Sequence, residues 1–382
     1  MSVTFAEGFK AGSVAAGLKS SGKLDVTVIE NVGPKDDAAA VFTSNRAKAN
    51  PVLWSMEAIK DGAARAVVLN SGGANCYTGA QGFQTTHKSA ELVAEALDLS
   101  AQDVLVCSTG LIGVQLDTDK LYSAIASACK GLSVDGGADS AHAIMTTDSV
   151  PKLATATSSA GWKIGGMAKG AGMLAPALAT MLVVITTDAE VSNLDDHLRA
   201  ATAVSFDRLD SDGCTSTNDT VILLSSGASG IKANAEEFQN LLVDVCMNLA
   251  RQLMKDAEGA AHEIAIEVHG AASEADALEV GRAIARNNLF KTAIYGNDPN
   301  WGRILAAIGT TAAEYDPYDI DVEINGVRVS SKGGPDQDRS LVNLAAREVF
   351  IRIGLNAGDQ RATILTNDLT KEYVIENSEY SS

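Results

Sequence analysis

Two short apolar runs constrain this chain most. Residues 178–188 read LATMLVVITTD and residues 219–227 read DTVILLSSG. Neither shows the 3.6-residue period of a helix with one wet face, and both are rich in β-branched residues. Such runs read as strands buried on both faces, with the later run a candidate partner of the earlier one. A chain of this length can bury such strands in a sizeable core. The rest of the sequence agrees. LDVTVIE (24–30), AAAVFTS (38–44), ARAVVLNS (64–71) and DVLVCST (103–109) are further strand candidates, several followed by Gly, Asn or Ser clusters. THKSAELVAEALDL (86–99) has helical spacing. So does AEEFQNLLVDVCMNLARQLMKDAEG (235–259), where Phe238, Leu241, Leu242, Val245, Leu249 and Met254 recur on one face. EIAIEVHG (263–270) and DIDVEING (319–326) predict strands, and ADALEVGRAIARNN (275–288) and SLVNLAAREVFIRIG (340–354) predict helices. Strands and helices alternate irregularly, which points to an α/β chain with mixed sheets rather than a simple doubly wound sheet. No internal repeat is present. The tail YVIENSEYSS (373–382) is polar and predicts disorder unless it docks.

Charge and cysteine usage narrow the function classes. The formal net charge of −18 over 382 residues disfavours nonspecific binding to nucleic acid or to an anionic membrane, because both need basic patches. The five cysteines, Cys76, Cys107, Cys129, Cys214 and Cys246, are scattered without C-x-x-C spacing, against a disulfide framework or a structural zinc site. The N-terminus lacks the charged and apolar regions of a signal peptide, and no apolar run is long enough for a membrane span. The cytoplasm is the expected compartment.

Nucleophile chemistry is tightly limited. The five histidines lie outside any G-x-S-x-G elbow, and neither H-E-x-x-H nor a Walker A loop occurs. GGMAKGAG (165–172) has a phosphate-loop flavour, but no clear strand precedes it and G-K-[ST] is missing. One arrangement needs no histidine. If the Ala179–Thr180 bond is cut, Thr180 becomes a chain N-terminus and its own α-amine accepts the hydroxyl proton. An α-amine with a pKa of about 7.7–8.0 suits a general base. The same hydroxyl can make the cut, attacking the Ala179 carbonyl in an N-to-O acyl shift that water completes. The small Ala177 and Ala179 leave room for that turn. The stretch by itself leaves another reading open, in which Thr180 merely opens a β-strand, where threonine is favoured.

Further blocks bear on the choice. KGAGMLAPALATML (169–182) is accompanied, in order along the chain, by NSGGANCYTG (70–79), CSTGLIG (107–113), IMTTDSVPK (144–152), STNDT (216–220) and DPNWGRILAAIG (298–309). With these the chain resembles, over nearly its whole length, the bifunctional glutamate N-acetyltransferases of arginine biosynthesis, also called ornithine acetyltransferases. The resemblance implies that Thr180 is the nucleophile, that Thr109 and Gly110 form the oxyanion hole, and that Thr146, Lys169, Thr180, Glu258, Asn377 and Ser382 bind substrate. Thr147 competes with Thr146 for its role. Departures from the family pattern accompany the match. Cys214 replaces an acid, Ala257 a glycine, Ala261 a threonine, His262 a lysine, Gly73 an asparagine, and Ser382 stands for the usual threonine.

What the resemblance implies for the whole chain is specific. The fold is a sandwiched double β-sheet flanked by helices. Self-cleavage divides the chain into an α chain, 1–179, and a β chain, 180–382, which assemble as an α2β2 heterotetramer. Thr180 takes the acetyl group of N2-acetyl-L-ornithine and passes it to L-glutamate, with no metal or redox cofactor. Some family members also accept acetyl-CoA, and no motif here decides that point. Two other readings are an autocleaving aminopeptidase, disfavoured because that relative uses serine, and a non-catalytic amino-acid-binding protein, disfavoured by the intact Thr180, Thr109 and Gly110.

Overall fold

The computed structural model describes residues 2–173 and 181–379. The chain divides into two compact units, one of Met1–Asp207 and Cys214–Asp256, the other of Arg208–Gly213 and Ala257–Ser381. The described part of the first unit runs β1 (Phe9–Val14), β2 (Val26–Asn31), β3 (Ala38–Phe42), α1 (Asn50–Ala58), β4 (Ala66–Asn70), α2 (Gly79–Leu97), β5 (Val104–Ser108), α3 (Thr118–Lys130), α4 (Gly137–Ala143), β6 (Lys152–Thr157), β7 (Lys163–Lys169), β8 (Leu182–Thr187), α5 (Leu194–Val204), β9 (Thr220–Ser225) and α6 (Ala235–Lys255). The second runs β10 (Glu263–Ala271), α7 (Glu274–Ala285), α8 (Asn288–Tyr295), α9 (Trp301–Ile308), β11 (Asp321–Ile324), β12 (Val327–Ser331), β13 (Gly334–Pro335), β14 (Glu348–Gly354), β15 (Gln360–Asn367) and α10 (Lys371–Glu379).

In the first unit the strands form two sheets, ordered β1-β2-β4-β5 and β3-β9-β8-β7-β6. They face each other across a shared core to which β2, β4 and β5 contribute Ile29, Val67, Leu69 and Leu105, and the other sheet contributes Ala40, Met167, Val184, Ile222 and Leu224. The period-2 alternation of strands sends the intervening residues the opposite way. Val28, Val68, Val104 and Val106 therefore meet Val93 of α2 and Ile125 of α3 on the outer face. On the far side of the other sheet lies α6, whose Leu249 and Val245 come close enough to Gly166 that a Cβ there would sit 3.2 and 3.5 Å from them. The result is a double sheet with helices on both outer faces, as the resemblance implies.

The two apolar runs become β8 and β9, paired in parallel from Leu182 opposite Thr220 to Thr187 opposite Ser225, with every residue buried. The α6 helix starts where Asn234 accepts from the Glu236 and Glu237 N–H groups, and two acids in its first turn and Lys255 in its last suit the helix dipole. Its core face is Phe238, Leu242, Val245, Leu249 and Leu253; Leu241 falls at the edge of that face.

The second unit has its own sheet, β13-β12-β11-β14-β10-β15, and its own core, in which Ile264, Ile266, Ile351, Ile353 and Ile364 meet Val280, Ile284, Phe290 and Ile304. One expectation is corrected here. The stretch 340–354 is not a helix. A short 3-10 turn at Arg339–Leu341 leads to β14, with Val349, Ile351 and Ile353 buried and Phe350 and Arg352 outward. The spacing of Leu341, Leu344 and Val349 imitates a helix, yet Leu341 is 62% exposed and packs on nothing like a helical stripe. The tail, expected to be disordered unless it docks, is helical over Lys371–Glu379, with no buried residue. Among the described residues, no helix is long and apolar enough to cross a membrane.

Candidate active site

The site residues of the first unit gather where strand ends of its two sheets meet. On one sheet, parallel β4 and β5 end side by side at Asn70 and Ser108. On the other, Lys169 closes β7 opposite Leu182 of β8, and Met181 and Asp219 stand just before the paired β8 and β9. Asn218 joins the two sets, donating from Nδ2 to the Ser108 carbonyl at 2.8 Å and to the Ala74 carbonyl.

Thr109 and Gly110 leave β5 in a loop with little freedom. The Thr109 N–H donates to the Asn70 carbonyl at 2.9 Å, and the Thr109 carbonyl accepts from the Gly73 N–H at 3.0 Å. Ser108 Oγ donates to Asn70 Oδ1 at 2.6 Å, and Asn70 Nδ2 donates to the Gly73 carbonyl at 3.2 Å. Gly110 has φ +128°, and a Cβ on it would lie 2.8 Å from Gly73 N and 2.9 Å from Gly73 Cα. Only glycine fits this close approach of two loops. The Thr109 backbone donor is thus already used. What remains to donate is the Thr109 hydroxyl and the Gly110 N–H, which meets no acceptor among the described residues.

The Thr109 hydroxyl has one side occupied. Lys169 Nζ, on a residue only 1% exposed, donates to Thr109 Oγ1 at 3.2 Å. With a cation on the oxygen's lone pair, the hydroxyl proton is turned elsewhere and strengthened as a donor. Lys169 closes a strand and is buried because β7 continues the sheet through the glycines of KIGGMAK.

Thr146 donates its N–H to Asp148 Oδ2 at 2.9 Å and is half-buried, whereas Thr147 is exposed. Asp148 also accepts from the Gly170 N–H at 2.6 Å and from Lys152 Nζ at 2.5 Å. Burial works against ionising the Asp148 carboxyl, but the charges of Lys169 and Lys152 and the bonds from Lys152 and Gly170 outweigh it and hold the group below its ordinary 3.8. Lys152, fully buried, also reaches Asp256.

Asp219 is a residue of the site to which sequence reasoning gave no role. Its Oδ1 accepts the Met181 N–H at 3.1 Å, and its Oδ2 is buried without a partner among the described residues. Burial pushes this carboxyl well above its ordinary value, against the pull of the Met181 bond. This places a carboxyl with a raised pKa beside the first residues of β8. Its only signal in the sequence was an acid directly abutting an apolar strand.

In the second unit, Asn377 Nδ2 donates to Glu258 Oε2 at 3.0 Å and to the Tyr373 carbonyl at 3.0 Å, so α10 brings these two expected contacts together. The His262 departure is structural. Its ring faces Asp368 Oδ2 at 2.7 Å and the Leu344 carbonyl at 3.0 Å, and its N–H donates to Asp368 Oδ1. Ala257 is buried and Cys214 exposed. Ala179, Thr180 and Ser382 lie outside the described residues.

Comparison with known proteins gives a consistent result. The ArgJ family matches residues 10–382. The arginine biosynthesis bifunctional protein ArgJ of Streptomyces avermitilis is 59% identical over 384 residues, covering 100% of both chains. Those of Thermobifida fusca and Bifidobacterium longum are 58% and 53% identical, also across 100% of each chain. Among solved structures, an ornithine acetyltransferase complexed with ornithine from Mycobacterium tuberculosis is 49% identical, covering 47% of this chain and 96% of that one, with a TM-score of 0.46. The arginine biosynthesis bifunctional protein of Bacillus halodurans is 35% identical, covering 51% and 97%, with a TM-score of 0.49.

Proposed function

The chain belongs to the ArgJ family of arginine biosynthesis, and from that premise we propose that it moves the acetyl group of N2-acetyl-L-ornithine to L-glutamate through an acetyl ester on Thr180. The observation that carries this reading is the pair of donors at the end of β5. The Thr109 N–H is spent on Asn70, Lys169 occupies one side of the Thr109 hydroxyl, and the Gly110 N–H is left unspent beside it. Two adjacent donors that meet no acceptor among the described residues suit the oxygen of a tetrahedral intermediate, whose negative charge they stabilise more than the starting carbonyl.

The chemistry then follows in two halves. The Thr180 α-amine takes the hydroxyl proton as Oγ1 attacks the acetyl carbonyl, and charge gathers on the oxygen facing Thr109 and Gly110. The C–N bond breaks, the proton passes to the leaving amine, and ornithine departs. The amine of glutamate then attacks the ester by the same route in reverse and leaves as N-acetyl-L-glutamate. The family reading offers Lys169 and Glu258 as the cation and the carboxylate that contact the amino acid, and Asn377 and Ser382 as further substrate contacts. Thr146 is favoured over Thr147 because it is half-buried and its backbone is anchored on Asp148. Acetyl-CoA is a second donor suggested by the relatives' description as bifunctional.

Release of the Thr180 amine requires the cut after Ala179. The products 1–179 and 180–382 would not separate, because β7 pairs with β8 and β3 pairs with β9 in one sheet, each pair joining the two halves. An α2β2 assembly in the cytoplasm follows from the family reading. The test is one preparation read twice. Denaturing electrophoresis should show two bands, and the same sample should release ornithine from acetylornithine when glutamate is added. A single intact band from protein that transfers acetyl groups overturns the mechanism. Thr180→Ala should stay uncut and inactive.

A further inference from the structure

One buried residue beside this site has no role in the chemistry above. Asp148 offers one carboxylate to three donors: the N–H of Thr146 in its own turn at 2.9 Å, Lys152 Nζ at the start of β6 at 2.5 Å, and, from the remote end of β7, the Gly170 N–H at 2.6 Å. Lys152 is fully buried and is also held by Asp256, which in turn accepts the Ser149 N–H at 2.9 Å and the Ser149 hydroxyl. A buried ion pair is weak evidence of added stability, since apolar residues of the same volume often serve as well. What a carboxylate does and an apolar side chain cannot do is fix the direction of several N–H groups at once. Two of the segments it fixes carry residues of the site. Gly170 follows Lys169, whose Nζ reaches Thr109 Oγ1 at 3.2 Å, and Thr146 is itself a candidate substrate contact.

We propose that Asp148 is a positioning residue for acetyl transfer: by holding the Gly170 and Thr146 amides it keeps Lys169 aimed at the Thr109 hydroxyl, with Lys152 and Asp256 bracing the carboxylate. This rests on the acetyltransferase reading above. A carboxylate one bond from the end of β7 sets where the Lys169 stem leaves the strand. Small misplacement of a group aligned on the reacting centre costs rate far more than it costs binding. The proposal thus predicts a loss in kcat that is transmitted through Lys169.

The experiment is a double-mutant cycle on the full chain with Asp148→Asn and Lys169→Ala, reading kcat and KM for acetylornithine and the thermal midpoint of each variant. Asp148→Asn should lower kcat between about tenfold and a hundredfold. In the Lys169→Ala background the same change should cost no more than about threefold, because the residue it acts through is gone. Losses that multiply overturn the proposal. So does an Asp148→Asn protein with a lowered thermal midpoint and wild-type kcat, the signature of a purely structural role. If Asp148→Asn does not fold, Asp256→Asn leaves the Asp148 carboxylate in place and weakens its bracing, through Lys152 and through Ser149. It should give a smaller kcat loss that vanishes in Lys169→Ala, and a loss that persists there overturns the proposal. Wild-type protein unable to transfer acetyl from acetylornithine overturns the function and this inference together, whereas active wild type with multiplying losses overturns this inference alone.

Discussion

Adding one methyl group at Gly110 tests the donor pair directly. In Gly110→Ala the new Cβ would lie 2.8 Å from Gly73 N, 2.9 Å from Gly73 Cα and 3.3 Å from the Gly72 carbonyl carbon, all backbone atoms that cannot swing away. The residue would also have to hold φ +128°, which costs an L-residue about 1–3 kcal/mol. The loop can relieve the contact only by moving, and the Thr109–Gly73 hydrogen bond ties both sides of the contact together. The Gly110 N–H must therefore turn. Loss of one oxyanion donor lowers kcat by about 10²–10³, or about 2.7–4 kcal/mol, in a well-studied protease, and a fall of that order is expected here. The assay is kcat for ornithine release at saturating acetylornithine and glutamate, with the thermal midpoint measured alongside. Gly73→Ala is the control. Its Cβ would meet Leu116 Cδ2 at 3.1 Å, the end of a side chain that can rotate, and kcat should stay within about threefold of wild type. Wild-type kcat in Gly110→Ala would refute the role of that N–H. Equal losses in both variants would assign the effect to loop packing instead of donor geometry.

Two further outcomes follow from charge and from the C-terminus. Because the fold holds the Asp148 carboxyl below its ordinary 3.8, the unfolded chain binds that proton first as pH falls. The stability this group contributes is fully present above that value and is lost only as pH falls below it through the lower folded-state value, so urea unfolding should show a difference between wild type and Asp148→Asn that holds from neutral pH to about pH 5 and narrows below it. A gap that stays constant would mean the carboxylate charge is not what Asp148 contributes. Deleting residues 377–382 removes Asn377 from Glu258, to which it donates at 3.0 Å. Cleavage at residue 180 should survive, while the ratio of acetylglutamate formed to ornithine released should fall as water intercepts the acetyl ester; an unchanged ratio and rate would mean the tail does not cover the site.

Much of the layering was legible in the sequence because burial on one or two faces leaves a period. The runs at 182–187 and 220–225 had to be strands covered on both sides, and they are neighbours in the middle of a sheet. The stripe on α6 named Phe238, Leu242, Val245, Leu249 and Met254 of the face that packs but missed Cys246, Ala250 and Leu253, and motif order named Thr109, Gly110 and Lys169 as site candidates. Periodicity failed where the covering partner, not the chain itself, dictates the residue. The β7 strand carries Gly165 and Gly166, which weaken any strand signal; Gly165 faces the Ser2 carbonyl and Gly166 faces Leu249 and Val245 of α6. The 340–354 stretch had helix-like spacing, and β14 exists because β10 and β11 pair on either side of it. Which donors of the site are spent was not legible at all. The Thr109 N–H is taken by Asn70, the Thr109 hydroxyl is polarised by Lys169, and neighbouring cations hold the Asp148 carboxyl down while burial lifts that of Asp219. Sequence records residue type and local period, both set by near neighbours. Hydrogen-bond occupancy and the charge of a buried acid are set by groups tens of residues away, and only the packing of the two sheets brings those groups within reach.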